Sequence, residues 1–234
     1  MSETLSIPSR FNGPLESGNG GYCSGVLASF IEGPAEVTLR RPVPLDVPVG
    51  VIREHEGSVR LLDGEALVAE ASSAPDFKLD MPAPVGLPEA RPAAARYRGS
   101  SAGLFGRCFV CGLGREDALG VFAGAVEGRR LVASAWTPPA WTANGEGQVR
   151  PEFVWAVLDC PTYFATYMDG ELPVSVLARL TARIDAPVVA GEEHVVIAWP
   201  IETKGRKRHA GSALLSHDGD ALAVARALLI EPRG

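Results

Sequence analysis

Cysteine is scarce in this chain. Four cysteines among 234 residues are too few for a disulfide scaffold. The expectation is therefore reduced thiols and a cytoplasmic location. Long apolar runs are missing too. Nothing approaches the ~20 consecutive apolar residues that a membrane-spanning helix needs. The opening stretch "MSETLSIPSRF" has no apolar segment of the kind found in secretory leaders, and no membrane partner is expected. Positive charge is outnumbered, with 22 Lys and Arg against 28 Asp and Glu, a net charge of −6. Such a balance supplies no basic field for nucleic acid. No Gly-x-Ser-x-Gly segment occurs, so a serine nucleophile on a strand-to-helix elbow has no local support. What the chain does have is apolar content, 46% of its residues, enough to fill a core. Its length allows one large domain or two small ones.

Two helices are predicted. One follows Gly21 through "YCSGVLASFI". The other covers residues 150–168, "RPEFVWAVLDCPTYFATYM", with Pro151 suited to a first helical turn. Pro161 interrupts the second run, and a kink is expected there because proline cannot donate to the carbonyl four residues back. The segments "VSVLARLTARIDAPV" and "EHVVIAWPIET" read as strands. "HAGSALLSHDGDALAVARALLIE" reads as two strands joined by a turn at Asp218-Gly219. "FGRCFVCGLGREDALGVFAGAVEGRRLVASAWTP" reads as a turn flanked by strands, the last reaching Trp136.

The chain also repeats itself. "PLDVPVG" (44–50) matches "RIDAPVV" (183–189), with Leu45-Asp46 on Ile184-Asp185 and Pro48 on Pro187. "LLDGEALVAEA" (61–71) matches "SHDGDALAVARA" (216–227) in the same order. Each pair follows a predicted helix, so each half reads as a helix followed by strands. Between them lies a stretch rich in proline and alanine with little periodicity, as in a surface linker. The expected division is a first domain at 1–75, a linker at 76–102 and a second domain at 103–234.

A helix wrapped by a bent antiparallel sheet, doubled in one chain, resembles the hot-dog fold. "FNGPLESGNGGYCSGVLA" resembles the glycine-rich start of the central helix in hot-dog thioesterases, and "VWAVLDCP" resembles their helix segment ending in an acid. "GRCFVCG" followed by "ALGVFAG" resembles an opening seen in thioesterase-like members. The resemblance implies an α+β, tandem (double) hot-dog fold. It also implies an acyl-CoA thioesterase site between the paired domains, where one helix start faces an acid on the other helix. No cofactor is implied beyond coenzyme A as part of the substrate. A homodimer is an expected extension, since such sheets often pack on one another.

Thioester hydrolysis builds negative charge on the carbonyl oxygen. A helix N-terminus offers free N–H groups and partial positive charge to meet it. Glycine there allows close approach to the backbone. Asn19, Gly20 and Gly21 are thus the candidate oxyanion site, with the Gly21 or Tyr22 N–H as principal donor and Asn19 orienting the carbonyl or a water. The same residues also read as a plain glycine-rich lead-in capped by Asn19. Asp159 is the candidate carboxylate, to activate water or attack the carbonyl. An alternative reading pairs it with an arginine or places it at the Pro161 kink. The first helix has Ala28 in the corresponding region, and the second opens with Arg150-Pro151-Glu152. One composite site per chain follows.

Other marked residues read more weakly. Cys108 and Cys111 have the spacing of half a zinc site. Cys23 and Cys160 lie in separate predicted helices and the histidines are scattered, so no metal is expected. Lys204, Arg206, Lys207 and Arg208 form the dense basic cluster. They fit either the phosphates of coenzyme A or a solvated hairpin. Trp136, Trp141, Phe153 and Trp155 fit an acyl pocket or the core. A ligand-binding hot-dog protein without chemistry is the alternative function. A dehydratase or hydratase ranks below it, because none of His55, His194, His209 and His217 falls on a suitable helix.

Overall fold

A computed structural model describes residues 3–54 and 57–232; His55 lies outside them. Among the described residues one antiparallel sheet of eleven strands dominates, in the order β1-β3-β4-β5-β2-β8-β11-β10-β9-β7-β6. The strands are β1 Glu3–Leu5, β2 Ala35–Leu39, β3 Val49–Glu54, β4 Ser58–Asp63 and β5 Ala66–Ser73, then β6 Gly124–Ala125, β7 Val132–Trp136, β8 Val176–Ile184, β9 His194–Lys204, β10 Lys207–Leu215 and β11 Ala221–Ile230. Three α-helices accompany them among the described residues: α1 Gly20–Ala28, α2 Leu87–Ala94 and α3 Pro151–Thr166. No helix among the described residues is long and apolar enough to cross a membrane.

The two sides of the sheet follow one plan. After α1 the strands lie in the order β3-β4-β5-β2, and after α3 in the order β9-β10-β11-β8. They meet where β2 pairs antiparallel with β8, Val37 opposite Leu180 and Ala35 opposite Ala182. The Asp-Gly segments noted in the sequence form the β4–β5 and β10–β11 turns. Gly64 and Gly219 there take φ of +59° and +91°, which glycine adopts without strain.

Both α1 and α3 are buried nearly all round, so neither needs an amphipathic stripe. They cross at very close range, and the contact depends on two missing side chains. A Cβ on Gly21 would stand 2.5 Å from the Asp159 Cβ, and one on Gly25 2.6 Å from the Glu152 Cα. Short α1 would be marginal on its own; packing against α3 and the sheet holds it.

Two expectations are corrected here. Residues 76–102 contain α2, whose buried Ala90 and Ala93 pack with Phe77, Val85 and Leu131 in a second apolar cluster against Ile197 and Ala213. The helical spacing was hidden by its two prolines, one in the first turn and Pro92 inside. The 105–123 segment forms no strand. It runs as turns over the lead-in to α1, tied by Phe109 N–H to the Asn12 carbonyl at 2.8 Å. The second predicted helix is present as α3, which runs from Pro151 to Thr166 with Pro161 inside it. Nearby hydroxyls bond its carbonyls, Thr162 Oγ1 to Asp159 and Ser212 Oγ to Leu158, each at 2.6 Å.

Candidate active site

Asn19 is the N-cap of α1. Its Oδ1 accepts the Tyr22 N–H at 2.9 Å, which satisfies one of the helix's free donors. The Gly21 N–H donates to Asp159 Oδ2 at 2.8 Å, between residues 138 positions apart. Both N–H groups expected to serve an oxyanion are therefore occupied. The close helix crossing is the reason, because it carries the α3 carboxylate to the second N–H of α1. The Gly20 N–H, one residue earlier, has no acceptor among the described residues. Gly20 adjoins the carboxylate, since a Cβ there would lie 3.3 Å from Asp159 Oδ2.

Asp159 is buried, 7% exposed, and no arginine pairs with it among the described residues. Burial pushes its carboxyl up to about 7; the Gly21 N–H pulls the other way. Its Oδ1 has no protein donor among the described residues. The corresponding ninth position of α1 is Ala28. At the start of α3, Pro151 has no N–H to offer, and Glu152 lies 3.5 Å from Arg150.

Asn19, Gly20 and Asp159 line one cavity of about 580 Å³, in the size range of small-molecule sites. Its walls are largely apolar, with Phe105, Tyr163, Phe164 and Leu177 prominent. Trp136, Phe153 and Trp155 are buried in the core away from it, and Trp141 is also not on its wall. No histidine among the described residues lines it.

Positive charge at the cavity comes from Arg40, Arg41 and Arg98, which sequence reading passed over. Arg40 pairs with Glu70, and Arg98 donates to the Tyr167 carbonyl at 2.7 Å. Arg41 is exposed, with no carboxylate partner among the described residues. Lys204, Arg206, Lys207 and Arg208 form the β9–β10 hairpin, and none lines the cavity. Lys204 pairs with Glu202, while Arg206 and Arg208 both bond Glu231. Lys207 and Arg208 do stand opposite Ile230 and Leu229, which line the cavity.

The cavity also gathers sulfur. Cys108, Cys111 and Cys160 line it, and their Sγ atoms all lie within 4.8 Å of one another. Cys160 was expected within a helix and was not grouped with the other two; the 105–112 turns bring them to it. Asn19 Nδ2 donates toward Cys160 Sγ at 3.6 Å and Cys108 Sγ at 3.7 Å. The amide is thus committed at both ends, to the cap and to the sulfurs. The neighbouring thiols of Cys111 and Cys160 hold the pKa of Cys108 well below the ordinary thiol value.

No family profile and no curated protein matches the chain. Solved structures do. A hot-dog-fold protein of unknown function from Alicyclobacillus acidocaldarius superposes with a TM-score of 0.63 at 10% identity, over 99% of this chain and 93% of its own. The tesB protein of Mycobacterium avium subsp. paratuberculosis gives 0.61 at 13% identity, over 98% and 92%. A thioesterase II from Thermobifida fusca, so named provisionally, gives 0.61 at 12% identity, over 98% and 93%. The chain has the hot-dog fold.

Proposed function

We propose that the chain is an acyl-CoA thioesterase built as a tandem hot-dog protein, with one site shared by its two halves. The halves would be residues 1–75 and 103–234, joined by 76–102. One observation carries the reading: the unoccupied Gly20 N–H at the start of α1 and the Asp159 carboxylate of α3 face the same apolar cavity. The matching strand orders on the two sides support the duplication. The names of the tesB protein and of the thioesterase II agree with the chemistry.

In this mechanism the thioester carbonyl oxygen accepts from the Gly20 N–H at the positive end of α1. One such donor is worth about 3 kcal/mol in the transition state. Asp159 Oδ1 takes a proton from a water that attacks the carbonyl carbon. The tetrahedral intermediate collapses, the C–S bond breaks, and coenzyme A leaves as the thiol after taking up the proton. Asp159 Oδ2 stays on the Gly21 N–H and fixes the carboxylate's orientation. Arg41 is the better-placed contact for a coenzyme A phosphate; the 204–208 hairpin is largely spent on Glu202 and Glu231. A homodimer in solution belongs to the same proposal, with sedimentation as its check.

The binding-protein reading has one observation in its favour, that two of the three candidate donors are already bonded. Free-thiol release over a panel of acyl-CoA substrates separates the two. Turnover that Asp159→Asn abolishes supports the thioesterase. Release no faster than in buffer for every substrate leaves the binding protein.

A further inference from the structure

We propose that Cys108, Cys111 and Cys160 bind one zinc ion, with its fourth coordination position open to the cavity. The inference stands independently of the thioesterase reading.

The geometry of the sulfurs comes first. Four-coordinate zinc with Zn–S bonds of about 2.3 Å separates neighbouring sulfurs by about 3.8 Å. The Sγ atoms of Cys108 and Cys160 are 3.8 Å apart, and Cys111 completes a group within 4.8 Å. Sulfurs in a disulfide pair would leave the third thiol without a role. A metal uses all three.

The backbone is shaped for it. Cys108-Phe109-Val110-Cys111-Gly112 makes a tight turn that aims two sulfurs the same way. The Val110 N–H donates to Cys108 Sγ at 3.5 Å, and the Gly112 N–H donates to the Cys108 carbonyl at 2.9 Å. A Cβ on Gly112 would lie 2.5 Å from the Cys108 nitrogen, so the turn closes only around glycine there. Phe109 and Val110 are fully buried and anchor the turn in the core. The third sulfur arrives on α3, and Tyr97 steadies the turn by donating its hydroxyl to the Cys111 carbonyl at 2.6 Å.

Zinc with three thiolates carries a net single negative charge. The Val110 N–H, the Asn19 amide on two of the sulfurs and the positive end of α1 oppose it, while Asp159 is the one acid beside it among the described residues and is itself held on the Gly21 N–H. Soft thiolates select zinc over magnesium or calcium. Three protein ligands with an open position are the arrangement of zinc sites that take an exchangeable ligand, and all three cysteines line the cavity.

The test is metal content of the full chain, expressed with zinc and purified without chelator. About one zinc per chain is expected, falling below about a tenth in Cys108→Ser, Cys111→Ser and Cys160→Ser. Cys23→Ser, which alters a buried thiol outside the cluster, keeps its zinc. Cobalt exchange on the unmodified chain needs no variant to fold. It gives intense thiolate-to-cobalt charge transfer and a tetrahedral visible spectrum if three sulfurs bind. A chain that takes up no zinc and shows no such spectrum overturns the proposal. So does full zinc in Cys160→Ser, or a native mass showing a disulfide among the three.

Discussion

Replacing Gly20 and Gly21 one at a time by alanine separates packing from chemistry at two adjacent residues. At Gly21 the added methyl meets Asp159 Cβ at 2.5 Å, the Trp155 carbonyl oxygen at 2.7 Å and Ala156 Cα at 2.9 Å. Comfortable carbon contacts lie near 3.5–4.0 Å, so α1 and α3 must move apart by about 1 Å. Overpacking of this kind costs about 1–3 kcal/mol. The gain in helix propensity, up to ~1 kcal/mol, offsets part of it. The lengthened Gly21–Asp159 hydrogen bond adds back to the loss. A net destabilisation of about 2 kcal/mol lowers Tm by about 4–8 °C in a chain of this size. At Gly20 the methyl meets Leu177 Cδ2 at 3.0 Å and Cβ at 3.1 Å; the Cδ2 can turn aside, and the Cβ needs a shift of only a few tenths of an ångström along β8. Stability should change by less than about 1 kcal/mol. The methyl also stands 3.3 Å from Asp159 Oδ2, beside the free N–H. Turnover of a good acyl-CoA substrate should fall ~10–100-fold, a loss of about 1.4–2.8 kcal/mol of transition-state stabilisation. Calorimetry and thiol release on both variants make the assay. An unchanged Tm in Gly21→Ala, or wild-type turnover in Gly20→Ala, would refute the reasoning.

The other outcomes follow from the same geometry. Asp159→Asn should lower turnover at least ~100-fold while a non-hydrolysable acyl-CoA analogue still binds, as calorimetric titration can show. Combined with Gly20→Ala its effect should be far less than additive, because both disable one chemical unit. Glu152→Gln should leave thiol release within about twofold of wild type, since it alters the α3 start where no glycine donor faces an acid. Asn19→Ala should cost about 1 kcal/mol in chemical denaturation through the lost cap. Arg41→Ala should raise KM for coenzyme A esters with little change in kcat, the sign of a contact made equally in ground and transition states.

Strands β8 to β11 and the helices α1 and α3 were legible because they rest on local patterns; that the two helices pair came from the resemblance to the hot-dog fold. Alternating apolar residues mark β8 to β11, and the paired Asp-Gly turns mark equivalent places in the two halves. Asp159 was legible as an acid in an apolar helix. Which N–H is left unbonded was not. The sequence does not show how closely two helices cross, and that distance decides whether Gly21 or Gly20 keeps a free N–H. The three-sulfur cluster was hidden for a related reason. Cys160 joins Cys108 and Cys111 through tertiary folding of an irregular segment, and no sequence period marks such a segment. Helix α2 escaped notice because its prolines and alanines resemble those of a linker.

The β2–β8 seam has a consequence for dilution. A site assembled from two separate chains exists only while the chains stay associated, so it fades as protein concentration falls. Here both sides of the seam belong to one chain. Covalent connection sets a high local concentration of each half for the other, whatever the bulk amount of protein. Specific activity measured across a wide dilution series should therefore stay level. The stoichiometry of ligand at saturation should stay at one per chain over the same range.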